Sequence, residues 1–464
     1  MDTAHLSLNS VGRTHPTKKW WTMSATPLDQ EKTGLGNYFI ANYPPFSFWK
    51  KDFVPDALAA INRPPTPGTP LGLYLHIPFC RKRCKFCYFR VYTDKNGRDV
   101  ETYMNALVKE VELLSKTACV GGRHLDYVYF GGGTPSYLSA TQLTDLIQRV
   151  KAVFPWDKTR EVAFECEPGT LQLHKLQTLK DLGVTRLSLG IENFNDEILS
   201  SNGRAHLSAE IHRAYGWARE VGFDQINIDL IAGMVGETWE NWRDCVRKTI
   251  DIAPESVTIY QMELPYNTTY SKELTVIGQE TAPTNFIADW PTKRAWVDYA
   301  FAEMKKAGYE TSSAYTVVKD KAKTQFVYRD ALWHGADMFG TGVASFGHVN
   351  GVHIQNVDTW EAYIAMLDAG ELPLGRALPV TDRQLLIREM ILQLKTGHIE
   401  KDYFRSKFGV DITDEFKDGY RQLQDDGWLT VTPRGAELTR PGLMQIDRHL
   451  TAFFEPEHVS TRYA

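Results

Sequence analysis

The chain has 464 residues, 43% apolar and 23% charged, the balance of a globular protein and not of a disordered or fibrous one. Its 52 lysines and arginines are outnumbered by 57 aspartates and glutamates, and the net charge of −5 argues against a nucleic-acid binder driven by phosphate contacts. No apolar run approaches the roughly 20 residues of a membrane span, and the polar N-terminus lacks the apolar core of a signal peptide. Of six cysteines, three share one loop, and Cys119, Cys166 and Cys245 are scattered too widely for a disulfide framework. A reducing cytoplasm is the expected compartment.

Residues 1 to about 68 show no clear periodicity. Within them Asn42-Tyr43-Pro44-Pro45-Phe46-Ser47-Phe48-Trp49 is aromatic and rich in turn residues. It suits a segment packed over the core, or a lid over a large flat substrate. The prolines at 64, 65, 67 and 70 around Gly68 read as a linker. From residue 72 the pattern becomes strand, loop, helix, repeated. Strands are predicted at 72–77, 127–130, 161–164, 186–191, 225–231 and 256–261. Helices are predicted at 100–115, over the apolar stripe Leu143, Leu146, Ile147, Val150 and Val153, and at 171–182, 209–221 and 238–250. Six such units predict an α/β protein whose parallel sheet is covered by helices. Sheets of this kind hold ligands at the carboxyl ends of their strands.

A helix at 293–306 and a segment around Tyr309 to Val317 follow. Phe339 to Gly347 reads as a small-residue turn. From Thr381 onward the pattern is helical, with a helix carrying Leu385, Leu386, Met390, Ile391 and Leu394, and another over 404–423. A two-stranded hairpin (Trp428 to Pro433, Ala436 to Thr439) and a helix to Phe454 complete it. Helices with a small wing suggest a winged-helix-like module. The acidity of the chain favours packing and substrate covering over DNA binding. The expected domains are 1–68 (extension or lid), 69–375 (core) and 376–464 (carboxyl-terminal helical module).

The chemistry concentrates between Tyr74 and Phe89. Cys80, Cys84 and Cys87 form a C-x3-C-x2-C pattern directly after the first strand. Three thiolates in one loop suit three irons of a [4Fe–4S] cluster and leave the fourth iron open to a small molecule. Zinc favours paired C-x2-C units and four ligands in a closed site, and His76, the nearest further ligand, lies in the extended chain before Cys80. Ordinary buried thiols are the remaining alternative. Gly131-Gly132-Gly133-Thr134-Pro135 follows the second strand and lets the backbone approach a ligand. Glu165 ends the third strand. Arg186 to Phe194 contains Glu192, and Asn202-Gly203-Arg204 follows. Asn227-Ile228-Asp229 places polar groups in an apolar fifth strand.

The cysteine loop resembles that of the radical S-adenosylmethionine (SAM) superfamily. With Tyr74-x-His76-Ile77-Pro78-Phe79 before it, the chain resembles the oxygen-independent coproporphyrinogen III oxidase family, with HemN- and HemW-like members, from about Leu71 to Phe454. The resemblance implies a partial (β/α)6 barrel with a carboxyl-terminal helical module. It implies that Cys80, Cys84 and Cys87 ligate a [4Fe–4S] cluster, and that SAM coordinates the open iron and is split by one electron into methionine and a 5′-deoxyadenosyl radical. It assigns Gly132, Gly133, Thr134, Glu165, Arg204, Asp229 and Ala344 to SAM, with Tyr74 and Glu192 beside it. The oxidases bind two SAM molecules and use the radical to decarboxylate a substrate propionate.

The family has glutamine where this chain has Glu192, and true oxidases carry a fourth cysteine where it has Phe89. Relatives with an aromatic residue there include haem-trafficking proteins and enzymes that transfer a methyl or methylene group from a second SAM. The expected partners are a small-molecule substrate of tetrapyrrole type and an electron donor such as flavodoxin or ferredoxin, with no nucleic acid or membrane. A monomer is expected.

Overall fold

The computed structural model describes residues 39–265, 268–272 and 287–459. Most of the extension expected at 1–68 therefore lies outside the described residues. Helix α1 (Val54–Ile61) precedes strand β1 (Leu71–Ile77), which is buried at six of its seven positions. Such continuous apolar runs belong to parallel strands covered on both faces. Strands β2 (Leu125–Gly132), β3 (Glu161–Cys166), β4 (Arg186–Glu192), β5 (Gln225–Ala232) and β6 (Ser256–Gln261) follow in spatial order, each parallel to the one before.

The crossovers are helical: α2 (Gly97–Ser115), α3 (Ala140–Val153), α4 (Leu173–Asp181), α5 (Asp196–Ser201) with α6 (Ser208–Val221), and α7 (Trp239–Ile252). Their starts are legible. Asn96 and Asp99 form a capping box on α2, and Ser139 and Gln142 form one on α3, so the first orphan N–H groups are satisfied by side chains. The expected mixed α/β architecture with a parallel sheet is what the structure shows.

The sheet is wider than six strands. Beyond β6 come β8 (Thr316–Val318) and β7 (Glu310–Thr311), both antiparallel. On the other edge β9 (Asp337–Thr341) runs parallel to β1, followed by antiparallel β10 (Phe346–Val349), β11 (Val352–Asn356) and β12 (Leu374–Pro379). The stretch from Phe339 to Gly347, expected as a turn, is thus the end of one strand, a tight connection and the start of another. Its small residues have a packing reason: a Cβ on Gly340 would lie 1.9 Å from the carbonyl oxygen of Phe346.

From Asp382 a second apolar cluster forms around Leu386, Ile387, Met390, Phe404, Tyr420 and Leu450, and it includes Ile40 and Tyr43 of the N-terminal segment. The helix expected over 404–423 is broken. Lys401–Phe408 ends at Gly409 in the left-handed region, and Ile412–Glu415 and Lys417–Asp425 follow. The expected two-stranded wing is three-stranded, with β13 (His398–Glu400) beside β15 (Gly435–Leu438) and β14 (Leu429–Val431) on the far side of β15. The last expected helix is also broken, into Arg440–Met444 and Ile446–His449. Trp49 stacks on His353 at 5.0 Å, so the aromatic N-terminal segment lies against β11. No described helix is long and apolar enough to cross a membrane.

Candidate active site at the carboxyl ends of the strands

The cysteine loop leaves β1 and closes on itself. The N–H of Cys80 donates to the Tyr92 carbonyl at 3.0 Å, and the N–H of Tyr92 donates to that of Pro78 at 2.8 Å. Cys80 Sγ lies 3.4 Å from Thr134 Oγ1, and Arg204 Nη1 donates to Cys84 Sγ at 3.4 Å. Lys85 N–H donates to the Asn202 carbonyl at 3.1 Å, tying the loop to the residues after α5. All three thiols are partly accessible.

Their spread separates two metal chemistries. Tetrahedral zinc with Zn–S bonds of about 2.3 Å needs sulfurs about 3.8 Å apart. Among the described residues, the three cysteines do not form a group whose ligand atoms all lie within 4.8 Å of one another. The C-x3-C-x2-C spacing suits a polynuclear cluster, in which each thiolate takes a different iron. Burial pushes the Cys80 thiol up to about 11, so loading a metal must release protons.

The glycine loop at the end of β2 is shaped by these cysteines. A Cβ on Gly133 would lie 2.9 Å from Phe79 O and 3.1 Å from Cys80 Sγ. Gly132, at φ +118, faces the His76 ring at 2.6 Å from the same hypothetical atom. The N–H of Gly132 donates to Glu165 Oε2 at 3.2 Å, and Tyr129 Oη donates to Glu165 Oε1 at 2.7 Å. Tyr74 stacks on Tyr129 at 5.7 Å, and its hydroxyl lies 3.4 Å from His76 Nδ1.

The strand register then brings the remaining groups together. Glu165 is opposite Ser188, and Gly190 is opposite Asp229. Ser188 Oγ donates to Asp229 Oδ2 at 2.7 Å, and Asn227 Nδ2 to Oδ1 at 2.9 Å. At the end of β4 the register slips, and Glu192 takes φ 67. Its Oε1 lies 3.4 Å from Arg204 Nη1, while Arg204 Nη2 donates to the Gly190 carbonyl at 2.6 Å. Burial pushes Glu165 and Glu192 each up to about 7 and raises Asp229; Asp229 adds to the rise at both glutamates, and Glu192 adds to that at Glu165. At the end of β6, burial pushes Glu263 up to about 8, although it accepts the Phe39 N–H at 2.7 Å.

Three buried polar atoms here have no protein partner: His76 Nε2, Arg204 Nε and Gln261 Oε1. An unpartnered guanidinium N–H beside carboxylates and thiols is what a site for a zwitterionic ligand leaves open. The residues present therefore fit a thiolate-bound cluster with SAM beside it. Tyr88 and Phe89 remain 41% and 50% exposed on the same loop.

Ala344 belongs to the neighbouring connection, whose Gly342 lies against His76. It lies at φ 60 in the connection after β9, its N–H donating to the Val357 carbonyl at 2.9 Å and its carbonyl accepting Gln355 Nε2 at 3.1 Å. The connection is held by a group that the sequence reading did not select. Glu110, buried on α2, accepts the Gly342 N–H at 2.8 Å, the Tyr363 hydroxyl at 2.6 Å and Asn356 Nδ2 at 2.6 Å. The signal was there: Glu110 sits three residues after Leu107 and four before Leu114, an acid in the apolar stripe of its helix. His206, buried 2.8 Å from Glu167 Oε1, carried no such signal.

Comparison with known proteins follows the same lines. The model of the radical SAM superfamily matches residues 74–249. The oxygen-independent coproporphyrinogen III oxidase of Synechocystis sp. is 26% identical over 454 residues, spanning 93% of this chain and 94% of that protein. The heme chaperone HemW of Bacillus subtilis is 28% identical over 378 residues, spanning 80% and 95%. The solved structure of coproporphyrinogen III oxidase (HemN) from Escherichia coli shares the fold, with a TM-score of 0.77 over 90% of this chain and 96% of that one at 24% identity. Residues 74–249 are thus a radical SAM domain, the domain of a superfamily whose members use a [4Fe–4S] cluster and SAM. Over most of its length the chain is similar to oxygen-independent coproporphyrinogen III oxidases and to HemW.

Proposed function

We propose that the protein is an enzyme that cleaves SAM and directs the resulting radical to a hydrogen of a tetrapyrrole-type substrate, in the manner of oxidative propionate decarboxylation. The observation that carries this reading is the open three-thiol loop facing Arg204 and the carboxylates of β3, β4 and β5. When bound, the cluster would supply the one electron that SAM cleavage consumes. Cys80, Cys84 and Cys87 would hold the cluster. Arg204 offers its unpartnered Nε–H to a carboxylate, and Glu165, Asp229 and the backbone of Gly132 and Gly133 offer acceptors and contact to the nucleoside and amine. Tyr74 and Tyr129 form an aromatic wall behind them. The near-full-length match to a protein named as a coproporphyrinogen III oxidase supports the decarboxylase form.

A second reading is methyl or methylene transfer from a second SAM. It is favoured by Phe89, which is half exposed where the oxidases carry a cysteine, and by Glu192 in place of their glutamine. A haem-carrying role is supported by the likeness to HemW. The division into extension, barrel and carboxyl-terminal module is part of the proposal, supported by the two large apolar clusters.

The test is anaerobic incubation of reconstituted, reduced protein with SAM and coproporphyrinogen III. Protoporphyrinogen and carbon dioxide with 5′-deoxyadenosine are expected. 5′-Deoxyadenosine with S-adenosylhomocysteine and no protoporphyrinogen would favour transfer. Neither nucleoside, together with haem binding by the apo protein, would favour the carrier role.

A further inference from the structure

We propose that the outer face of the cysteine loop is the docking surface for a small acidic one-electron carrier protein. The inference rests on the SAM-cleaving reading, which needs one electron per turnover. Residues 80–92, closed at the neck by the Cys80 and Tyr92 backbone bonds, contain Arg81, Lys82, Arg83, Lys85 and Arg90 and no acidic residue. This is a charge of +5 on 13 residues of a chain whose net charge is −5.

The cations face solvent and are only partly matched. The Arg81 and Arg90 side chains are 39% and 49% exposed, and Lys82 and Arg83 are exposed. Arg81 pairs with Glu167 at 3.0 Å. Arg90 meets Asp358 at 3.8 Å, a surface pair of small worth. Arg83 donates to the Cys87 carbonyl, and Lys85 lies over the Tyr270 ring. Lys82 makes no ion pair with a described residue. The charges of the site lie on different elements. Glu165, Glu192, Asp229 and Glu263 sit at or near the ends of β3 to β6, and the cations sit on the loop that carries the three partly accessible thiols.

A carrier of negative surface potential is drawn to this face over a Debye length and held with its redox centre nearest the cluster. One electron leaves the carrier and enters the cluster; no bond forms or breaks, and no proton moves. Cations beside an anionic cluster would also tune its potential, and cations near a site would also hold an anionic substrate. Both alternatives make different predictions.

The experiment uses the full-length reconstituted holoenzyme and flavodoxin hydroquinone as the carrier. Cluster reduction is followed by stopped flow at low and high ionic strength, and flavodoxin binding by calorimetry. The variant is Lys82→Glu with Arg90→Glu, neither of which touches the cysteines. The second-order rate constant should fall about tenfold or more at low salt, and salt should bring the unsubstituted protein toward the variant's value. Binding should weaken in parallel. Reduction by methyl viologen radical cation and the cluster midpoint potential should not change.

Unchanged reduction and binding by flavodoxin would overturn the proposal. So would a shifted potential with slower viologen reduction, or a raised KM for coproporphyrinogen III with carrier reduction intact. Absence of 5′-deoxyadenosine when viologen is the donor would count against the SAM-cleaving reading instead, and calorimetry would still report on the docking face.

Discussion

Replacing Gly133 by alanine tests the link between the glycine loop and the cysteine loop with one methyl group. The residue needs no unusual backbone conformation, so the effect is steric. Its Cβ would lie 2.9 Å from Phe79 O, 2.9 Å from the Pro78 carbonyl carbon and 3.1 Å from Cys80 Sγ, where ordinary contact begins at 3.4 Å. The first two are backbone atoms of the chain that delivers Cys80, and Cys80 is anchored on the far side through Tyr92. A displacement of about 0.5 Å must therefore be shared by the two loops. Overpacking of this kind costs about 1–3 kcal/mol, or about a fivefold to hundredfold loss of the arrangement that accepts the cluster. Gly216, inside α6 with nothing within 4 Å, is the control. Alanine there should stabilise by about 0.5–1 kcal/mol. The assay is iron and sulfide content after anaerobic reconstitution, with the electron paramagnetic resonance spectrum of the reduced protein before and after SAM. Gly133→Ala should lose iron, or hold it with an altered spectrum and a weakened response to SAM. Full iron content with an unchanged spectrum and SAM response would refute the coupling of the two loops.

Two further substitutions probe buried charges. Burial pushes Glu110 up to about 7 from an ordinary 4.5. The native state thus favours the protonated form, a contribution fully present below about 4.5 and lost as pH rises through 7, worth up to about 3 kcal/mol. Glu110→Gln should flatten the decline in stability between pH 5 and 8, and superimposable pH profiles of the two proteins would rule this out. Lys395, fully buried, binds Asp447 Oδ1 at 2.7 Å and the Ile40 carbonyl at 2.6 Å, and burial lowers its pKa. Removing one partner of a buried pair costs about 3–5 kcal/mol. Lys395→Met should fall at the lower end, because Asp447 keeps the Ile40 N–H and the Tyr315 hydroxyl. Denaturant unfolding and protease cutting near residues 39–49 read the result, and a change below about 1 kcal/mol with no new cutting would dismiss the latch.

The six parallel strands were legible because each is an apolar run bounded by turn residues, and burial on both faces demands that composition. The cysteine loop and the polar strand ends were legible because their residue types are costly inside a sheet without a ligand or a partner. What stayed hidden depends on pairing across the chain. β9 and β10 are short and glycine-bearing, and their strand character comes from β1 and β11, far away in sequence. The same holds for β13, which is a strand because it finds β15. Glu110 was visible only as an acid in an apolar stripe. Its three donors come from β9's connection, β11 and the helix carrying Tyr363, and no local pattern announces them.

The backbone itself separates the two unusual site residues from the rest. Among the described residues, four that are not glycine have positive φ: Glu192, Ala253, Ala344 and Asn350. A left-handed conformation costs such residues about 1–2 kcal/mol, and strain of this sort persists where the surroundings over-determine it. At Ala253 it closes α7 as a C-cap, and at Asn350 it forms the turn between β10 and β11 with its side chain held by the carbonyls of Ala60 and Arg63. Those two are structural. At Glu192 the strain accompanies a register slip that brings a carboxylate to Arg204, where glycine would relieve the backbone and lose the ion pair. At Ala344 it shapes a connection braced by Val357 and Gln355, while Glu110 fixes Gly342 two residues before. Glu192 is the last residue of β4, and Ala344 follows the carboxyl end of β9. The strain at 192 therefore accompanies a buried ion pair with Arg204, and the side chain there is not a neutral surface position.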